Sequence, residues 1–225
     1  MVIGESQNAR FIDNIVDNNI PVLPPNATPP WFAVHFEDAT GLEISGNHVT
    51  NNVNVPNRGP GVGAFRLSRI AGAIRFQDNV VRDNGGRALL VDGAVKPQVH
   101  RVLIQDNHFV ANANATGIAV LVTSIDVLSF QGNQCTVTDP AVTAGRDVSL
   151  IATLHANVAN NVVDFGGNTH LTVNAPEAVV NANSVRPGTN PLVVNGNRAI
   201  VTSNLTTGIS ATAVVLVRAN NIPAP

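Results

Sequence analysis

The sequence predicts an all-β fold, a single solenoid wound as a parallel β-helix, and three observations carry that expectation. The pattern apolar-x-apolar-x-x-Asn-x-apolar recurs through the chain, with its key residue at Asn14, Asn47, Asn79, Asn107, Asn133, Asn161, Asn183 and Asn204 and a weaker copy at Asn220. The C-terminal copies fall into strict register: Leu171, Val173, Asn174, Ala178, Val180 and Asn183 map onto Leu192, Val194, Asn195, Ala199, Val201 and Asn204, each 21 residues later. Self-similarity at a period of about 20–50 residues marks a repeat architecture. Composition is the third observation: 44% of residues are hydrophobic, only 12% are charged and Tyr is absent. A chain rich in Val and Asn, with Lys96 its only lysine, suits stacked strands and tight turns better than solvated helices.

Each coil divides into two or three short strands. One precedes the Asn motif: Val34–Phe36, Phe65–Leu67, Ala88–Leu90, Ile118–Val122, Val148–Ile151, Leu171–Val173 and Leu192–Val194. A second carries the two apolar residues of the motif, such as Leu42/Ile44, Ile74/Phe76 and Val102/Ile104, and a third starts at the apolar residue after Asn, such as Val49, Val81, Phe109 or Val163. Alternate apolar positions turn one side of each strand inward. Steps between successive key Asn residues are 33, 32, 28, 26, 28, 22 and 21, the spacing of a constant coil with loops that shorten along the chain. The expected organisation is one domain, 1–225, of eight to nine coils of 21–33 residues, loop-rich over 1–115 and compact over 116–225. The longer loops fall near 20–32, 53–63, 92–100 and 112–117.

The Asn column has a structural reading. Strands in successive coils lie about 4.8 Å apart, so identical side chains stack. A stacked amide donates to one neighbour and accepts from the other, making a ladder, and Asn also tolerates the left-handed backbone of a sharp turn. A partner column follows five residues after the key Asn, at Asn19, Asn52, Asn84, Asn112, Thr138, Gly166 and Gly188.

Several function classes are disfavoured. A net charge of −2 gives no reason to expect nucleic acid or an anionic membrane as partner. No apolar run approaches the ~18–20 residues of a membrane span, and no secretory signal is evident. Cys135 is alone and takes a valine's place in the repeat, as a buried small hydrophobe would. No metal-ligand motif is present: His48 and His108 share a register but sit two coils apart, about 10 Å by strand spacing. The repeat begins directly after Met1 and ends without a polar cap, which points to a piece of a longer protein or to ends covered by a partner.

The segments FIDNIVDNN, LEISGNHVTNN, IRFQDNVVRDN, VLIQDNHFVANAN and LVVNGNRAIVTSN together resemble the right-handed parallel β-helix proteins of the pectate-lyase-like superfamily, in particular its short parallel β-helix repeat modules. The resemblance covers nearly the whole chain and implies right-handed coiling, which is also the general preference of parallel crossovers. It is unspecific for function, since the superfamily holds polysaccharide lyases, glycoside hydrolases, epimerases, pectin esterases, phage tailspikes, adhesins and non-catalytic scaffolds. It implies a sugar-binding groove walled by long loops, here the 30–112 face. Calcium held by two or three acidic side chains, as in the lyases, would fall to Asp78, Asp83 and Asp106; no other cofactor is implied. The paired-Asp and Gly-His-Gly motifs of polygalacturonase-like enzymes are absent.

Within that face, Trp31 follows a proline-rich stretch and either stacks on a sugar or packs the loop onto the coil. His35, Glu37, Arg66 and Ser68 point outward if Val34/Phe36 and Phe65/Leu67 point inward, placing His35 beside Arg66 and Glu37 beside Ser68. Such a set suits an acidic sugar or proton transfer, but the same reading places Leu89 and Val91 of the next coil in this column, which would interrupt a polar cleft. Asp78 and Asp106, each in a Gln-Asp-Asn tripeptide of consecutive coils, form a carboxylate pair at the separation found in retaining glycosidases; every stacked pair shares that spacing, and Asp before Asn is also a turn former. Arg75, Arg82 and Arg101 are placed to neutralise them, and Arg66 and Arg75 are candidate substrate ligands. The sequence therefore favours a non-catalytic scaffold or binding module, possible ligands being a polysaccharide or protein, within a bacterial or phage-type surface, tail-fibre or secreted assembly. The competing class is a polysaccharide lyase or glycoside hydrolase working along 30–112. A homo-trimeric fibre packed through Leu89 and Val91 is a third reading. An extracellular or phage-like setting is favoured over a cytoplasmic one.

Overall fold

The computed structural model describes residues 2–19, 31–52, 62–93, 100–110, 118–136, 146–165, 169–186, 191–213 and 215–222. Most of the expected loop residues, and the partner positions Asn112, Thr138, Gly166 and Gly188, lie outside them. Every described element is a strand, and among the described residues every strand pairing between coils is parallel.

The strands line three faces. Face 1 runs through Val2–Gly4, Trp31–Glu37, the first half of Val62–Gln77, Arg87–Gly93, the first halves of Ile118–Gln131 and Arg146–Ala159, Thr169–Asn174, Leu192–Asn195 and Ile209–Thr212. Face 2 follows directly, through Gln7–Ile12, Thr40–Ser45, the second halves of the long strands, Arg101–Gln105, Glu177–Asn181, Arg198–Thr202 and Val215–Ala219. Face 3 is an eight-stranded sheet of two- and three-residue strands from Ile15–Asp17 to Leu205–Thr206. Strands that belong together thus recur once per coil, as the repeat requires.

Alternation places one apolar set inside. Val34/Phe36, Phe65/Leu67 and Val120/Val122 on face 1, Ile74/Phe76 and Leu128/Phe130 on face 2, and Val49, Val81, Phe109 and Cys135 on face 3 are all buried. Aromatic rings bridge the faces in the N-terminal coils: Phe65 meets Phe76 edge-on at 5.0 Å between centroids, and Phe76 stacks on Phe109 at 6.2 Å. Further along, the inward pair of face 2 shrinks to Ala156/Val158, Ala178/Val180 and Ala199/Val201. Cys135 sits between Phe109 and Val163 of the neighbouring coils, and burial pushes its thiol pKa up, leaving it an inert filler.

The ladder is continuous. The backbone N–H and the Nδ2 of each key Asn donate to the Oδ1 of the next: Asn47 to Asn79 at 3.0 and 2.9 Å, Asn79 to Asn107 at 3.0 and 2.9 Å, and so on from Asn14 to Asn204. The same Nδ2 also reaches a carbonyl of the preceding coil, as Asn107 does to Phe76 at 2.9 Å. A second, shorter ladder joins Asn19, Asn52 and Asn84 at the corner after face 3.

Two details differ from the sequence reading. The last rung is Asn221, which accepts from Asn204 at 3.0 and 3.1 Å, whereas Asn220 is an exposed turn residue. The ladder Asn residues are also not the ones that turn the chain. The left-handed residue is the one before each: Asp13, Gly46, Asp78, Asp106, Gly132, Asn160, Ala182, Ser203 and Asn220, with φ between 50° and 65°. The labour is divided because an Asn whose own N–H and amide must both reach the next rung is held in register, and the bend falls on its neighbour.

Ala182 carries that conformation with a Cβ, which costs roughly 1–2 kcal/mol in an L-residue. Ala182→Gly relieves the strain while adding freedom to the unfolded chain; urea titration should show a net stabilisation of about 0.5–1 kcal/mol. A loss of stability would show that the turn is not strained.

Candidate functional site

The outward side of face 1 in the N-terminal coils brings together most of the candidates. Register sets His35 beside Arg66 and Glu37 beside Ser68, as expected. It continues from Arg66 to Leu90 and Leu121, and from Ser68 to Asp92 and Thr123. Leu89 and Val91 are therefore not in this column. They pair with Phe65 and Leu67 and are fully buried. The run Ala88-Leu89-Leu90-Val91 offers no polar residue to fix its phase, so the sequence reading slipped by one position. The polar row continues through Asp92, and the trimeric reading loses the exposed residues on which it stood.

The side chains on this face are tied to one another. His35 Nε2 lies 2.8 Å from the Oγ of Ser68, on the diagonal rather than straight across. Burial first, and the Arg66 guanidinium second, hold the His35 imidazole below the ordinary histidine range, so it is neutral near pH 7. Ser68 is only 2% exposed. At the corner that follows, Arg69 Nη2 meets Glu37 Oε1 at 2.8 Å, and Nε and Nη2 clamp both oxygens of Asp38 at 2.7 and 2.5 Å. That hydrogen bonding holds the Asp38 carboxyl below the usual carboxylate range. Asp92 Oδ1 accepts from Thr123 Oγ1 at 3.3 Å. At the head of the strand, Trp31 rests half-buried against the core, and the Arg66 guanidinium carbon stands 5.9 Å from the centre of the Phe32 ring.

A match to the family described as "Right handed beta helix region" covers residues 1–134, more than half of the chain. The chain belongs to the right-handed β-helix family. That membership agrees with the parallel sheets and the ladder, and it suggests a carbohydrate-related or surface β-helix protein. Comparison with curated proteins and with solved structures returned no match.

Within this β-helix the remaining candidates lie elsewhere. Arg75 is on face 2, in a row with Glu43 and Arg10, where it borders a shallow groove of about 540 Å³ floored by Gly41, Gly72 and Ala73. It is not beside Arg66 or Trp31. Asp78 and Asp106 are the exposed left-handed turn residues between faces 2 and 3. Asp106 Oδ2 accepts from Gln105 Nε2 at 2.8 Å, and Arg82, expected to neutralise the pair, instead meets Asp83 at 2.8 Å. Asp83 occupies the left-handed position of a different corner, five residues on. The three suggested calcium ligands thus sit on two corners, and among the described residues no group of three or more His, Cys, Asp or Glu is placed to hold a metal.

Sequence reasoning missed Arg69. The signal for Arg69 was present, because the register that sets Glu37 on Ser68 also sets Asp38 beside Arg69 at the next position.

The His35 environment is testable by NMR titration. His35 should titrate below the ordinary value of 6.5, and Arg66→Gln should move the midpoint up by removing a repelling cation. With the folded pKa depressed, the contribution to stability is complete above the unfolded value and is lost as the pH falls through the folded one. An unchanged midpoint in Arg66→Gln would show that the guanidinium does not act on His35.

Proposed function

We propose that this β-helix is a non-catalytic scaffold and binding module of a bacterial or phage-type surface, tail-fibre or secreted assembly, and that the outward face 1 of its N-terminal coils binds polysaccharide. The observation that carries the reading is the commitment of the acidic groups on that face. Arg69 holds Glu37 and Asp38 as ion-pair partners, the reverse of the protonated carboxyl that a general acid requires. Asp78 and Asp106 serve the turns, exposed to solvent, with none of the desolvation that sets a catalytic carboxyl apart. A row of polar side chains, with the half-buried Trp31, His35 and Arg66 beside it, would supply hydrogen bonds and an apolar surface for an extended sugar chain.

The competing reading, a lyase or hydrolase along 30–112, draws on the neutral His35 within 2.8 Å of the Ser68 hydroxyl, an arrangement of base and hydroxyl. Ser68 at 2% exposure is poorly placed to meet a substrate, which is why the binding reading is preferred.

Incubation with a panel of acidic and neutral polysaccharides, with and without calcium, separates the two. Retention of at least one polymer in affinity electrophoresis, without new reducing or unsaturated ends, is the expected result, and Trp31→Ala should weaken retention by about 5- to 50-fold. Cleavage that disappears in His35→Ala would replace the scaffold with an enzyme.

A further inference from the structure

We propose that Arg218 closes the C-terminal end of the apolar core and keeps copies of this chain from stacking head to tail into a filament. The inference does not depend on what face 1 binds.

One inward column of face 2 runs, register partner to register partner, from Phe11 through Phe76, Phe130, Val158 and Val180 to Val201. Every member is apolar and buried. The next position in the column, paired with Val201, is Arg218. Leu216, two residues earlier, packs against the core, so alternation turns Arg218 to the same side. Its Nη2 crosses the coil to face 1 and donates to the Ala211 carbonyl oxygen at 3.4 Å. The Gly208 and Thr212 carbonyls accept from the coil before, so alternation along the strand aims the Ala211 carbonyl the other way, at the open end. An exposed guanidinium thus lies across the end of the core, where every earlier coil has an aliphatic or aromatic side chain. Charge at an inward position is one way in which an open sheet edge is kept from pairing, and the outermost repeat of a solenoid needs a polar outer surface. The sequence reading found no polar cap at this end because the cap is a single residue, and only register shows its inward phase.

Without Arg218 the two ends of the molecule would fit. Interior rungs donate to the next rung and accept from the one before. Among the described residues the Asn221 backbone N–H donates to nothing, its Nδ2 reaches only Val201, and the Asn14 Oδ1 accepts from nothing. Asn221 of one copy would therefore meet Asn14 of the next as each rung meets its successor. The first coil offers Ile3, Ala9 and Val16, apolar and only partly buried, beside Phe11. Such a contact joins unlike surfaces and does not close, so its repetition builds a filament. The register that joins Asn221 to Asn14 also sets Leu216 on Ala9 and Arg218 on Phe11. That placement would bury a guanidinium in an apolar column, which is strongly destabilising.

Sedimentation velocity across a range of concentrations, with amide exchange followed by NMR, tests this on the full chain. The wild type should stay monomeric, with a fast-exchanging Asn221 amide. Arg218→Val gives this coil the side chain that the three coils before it carry in the column. It should associate at least about 100-fold more tightly than the wild type, with the Asn221 amide protected in the assembled form. Arg218→Lys keeps the charge and should remain monomeric. Phe11→Arg added to Arg218→Val puts a cation on the other side of the same contact and should return the protein to monomers. Arg218→Ala serves if the valine variant fails to fold. Head-to-tail stacking of the wild type, monomers in both Arg218→Val and Arg218→Ala, or an assembly that persists with Phe11→Arg would overturn the proposal. Association that leaves the Asn221 amide unprotected would also overturn it, and would move the contact to another surface such as the exposed Ile200 and Val217. None of these outcomes bears on polysaccharide binding by face 1.

Discussion

Each coil of this protein is fastened to the next by an asparagine that does the work of two backbone partners. The key Asn offers its N–H and its Nδ2 to one neighbouring rung and receives the same pair from the other, while its Nδ2 also caps a carbonyl of the preceding coil. From Asn47 to Asn204 these side chains are at most 1% exposed. An unmatched amide at such depth costs about 1–3 kcal/mol for each orphaned group. A shift of one coil against its neighbour by a single residue would orphan several groups at once and turn every inward side chain outward. The ladder therefore fixes register, and register fixes everything that the outer faces can do.

What the faces present follows from that alignment. His35 meets Arg66, and Glu37 meets Ser68, because Asn47 meets Asn79. Departures from straight-across pairing come from side-chain length: His35 bonds Ser68 on the diagonal, Arg66 leans back to Phe32, and Arg69 reaches two carboxylates from its corner. The N-terminal coils hold the aromatic core, so their faces combine rigidity beneath with charge outside. Later coils have Ala and Val inside, and on face 2 they expose Ile200 and Val217 in one row.

Periodicity made the ladder and the inward residues of each strand legible, because the same residue types recur at the same place in every coil. It failed where that contrast was missing. Ala88-Leu89-Leu90-Val91 is apolar throughout, so nothing in the sequence distinguished the buried Leu89 from the outward Leu90. Asn220 and Asn221 are identical in type, and only the hydrogen bonds tell the turn residue from the rung. Asp78 and Asp106 resembled a carboxylate pair because a solenoid places every repeated residue at one strand spacing; their left-handed backbone identifies them as turn formers. The environments of His35 and Arg69 depend on side-chain direction and reach, neither of which a repeat encodes.

Amide hydrogen exchange followed by NMR tests the central claim, that the ladder locks the coils into one cooperative unit. The backbone N–H groups of Asn47, Asn79, Asn107, Asn133, Asn161 and Asn183 donate only to the next rung, so their exchange reports that contact. They should exchange together, at the rate of global unfolding, with their Nδ2 protons among the slowest side-chain amides. Rapid exchange at these rungs while neighbouring strand amides stay protected would contradict the account, and would show that backbone pairing alone holds the coils in register.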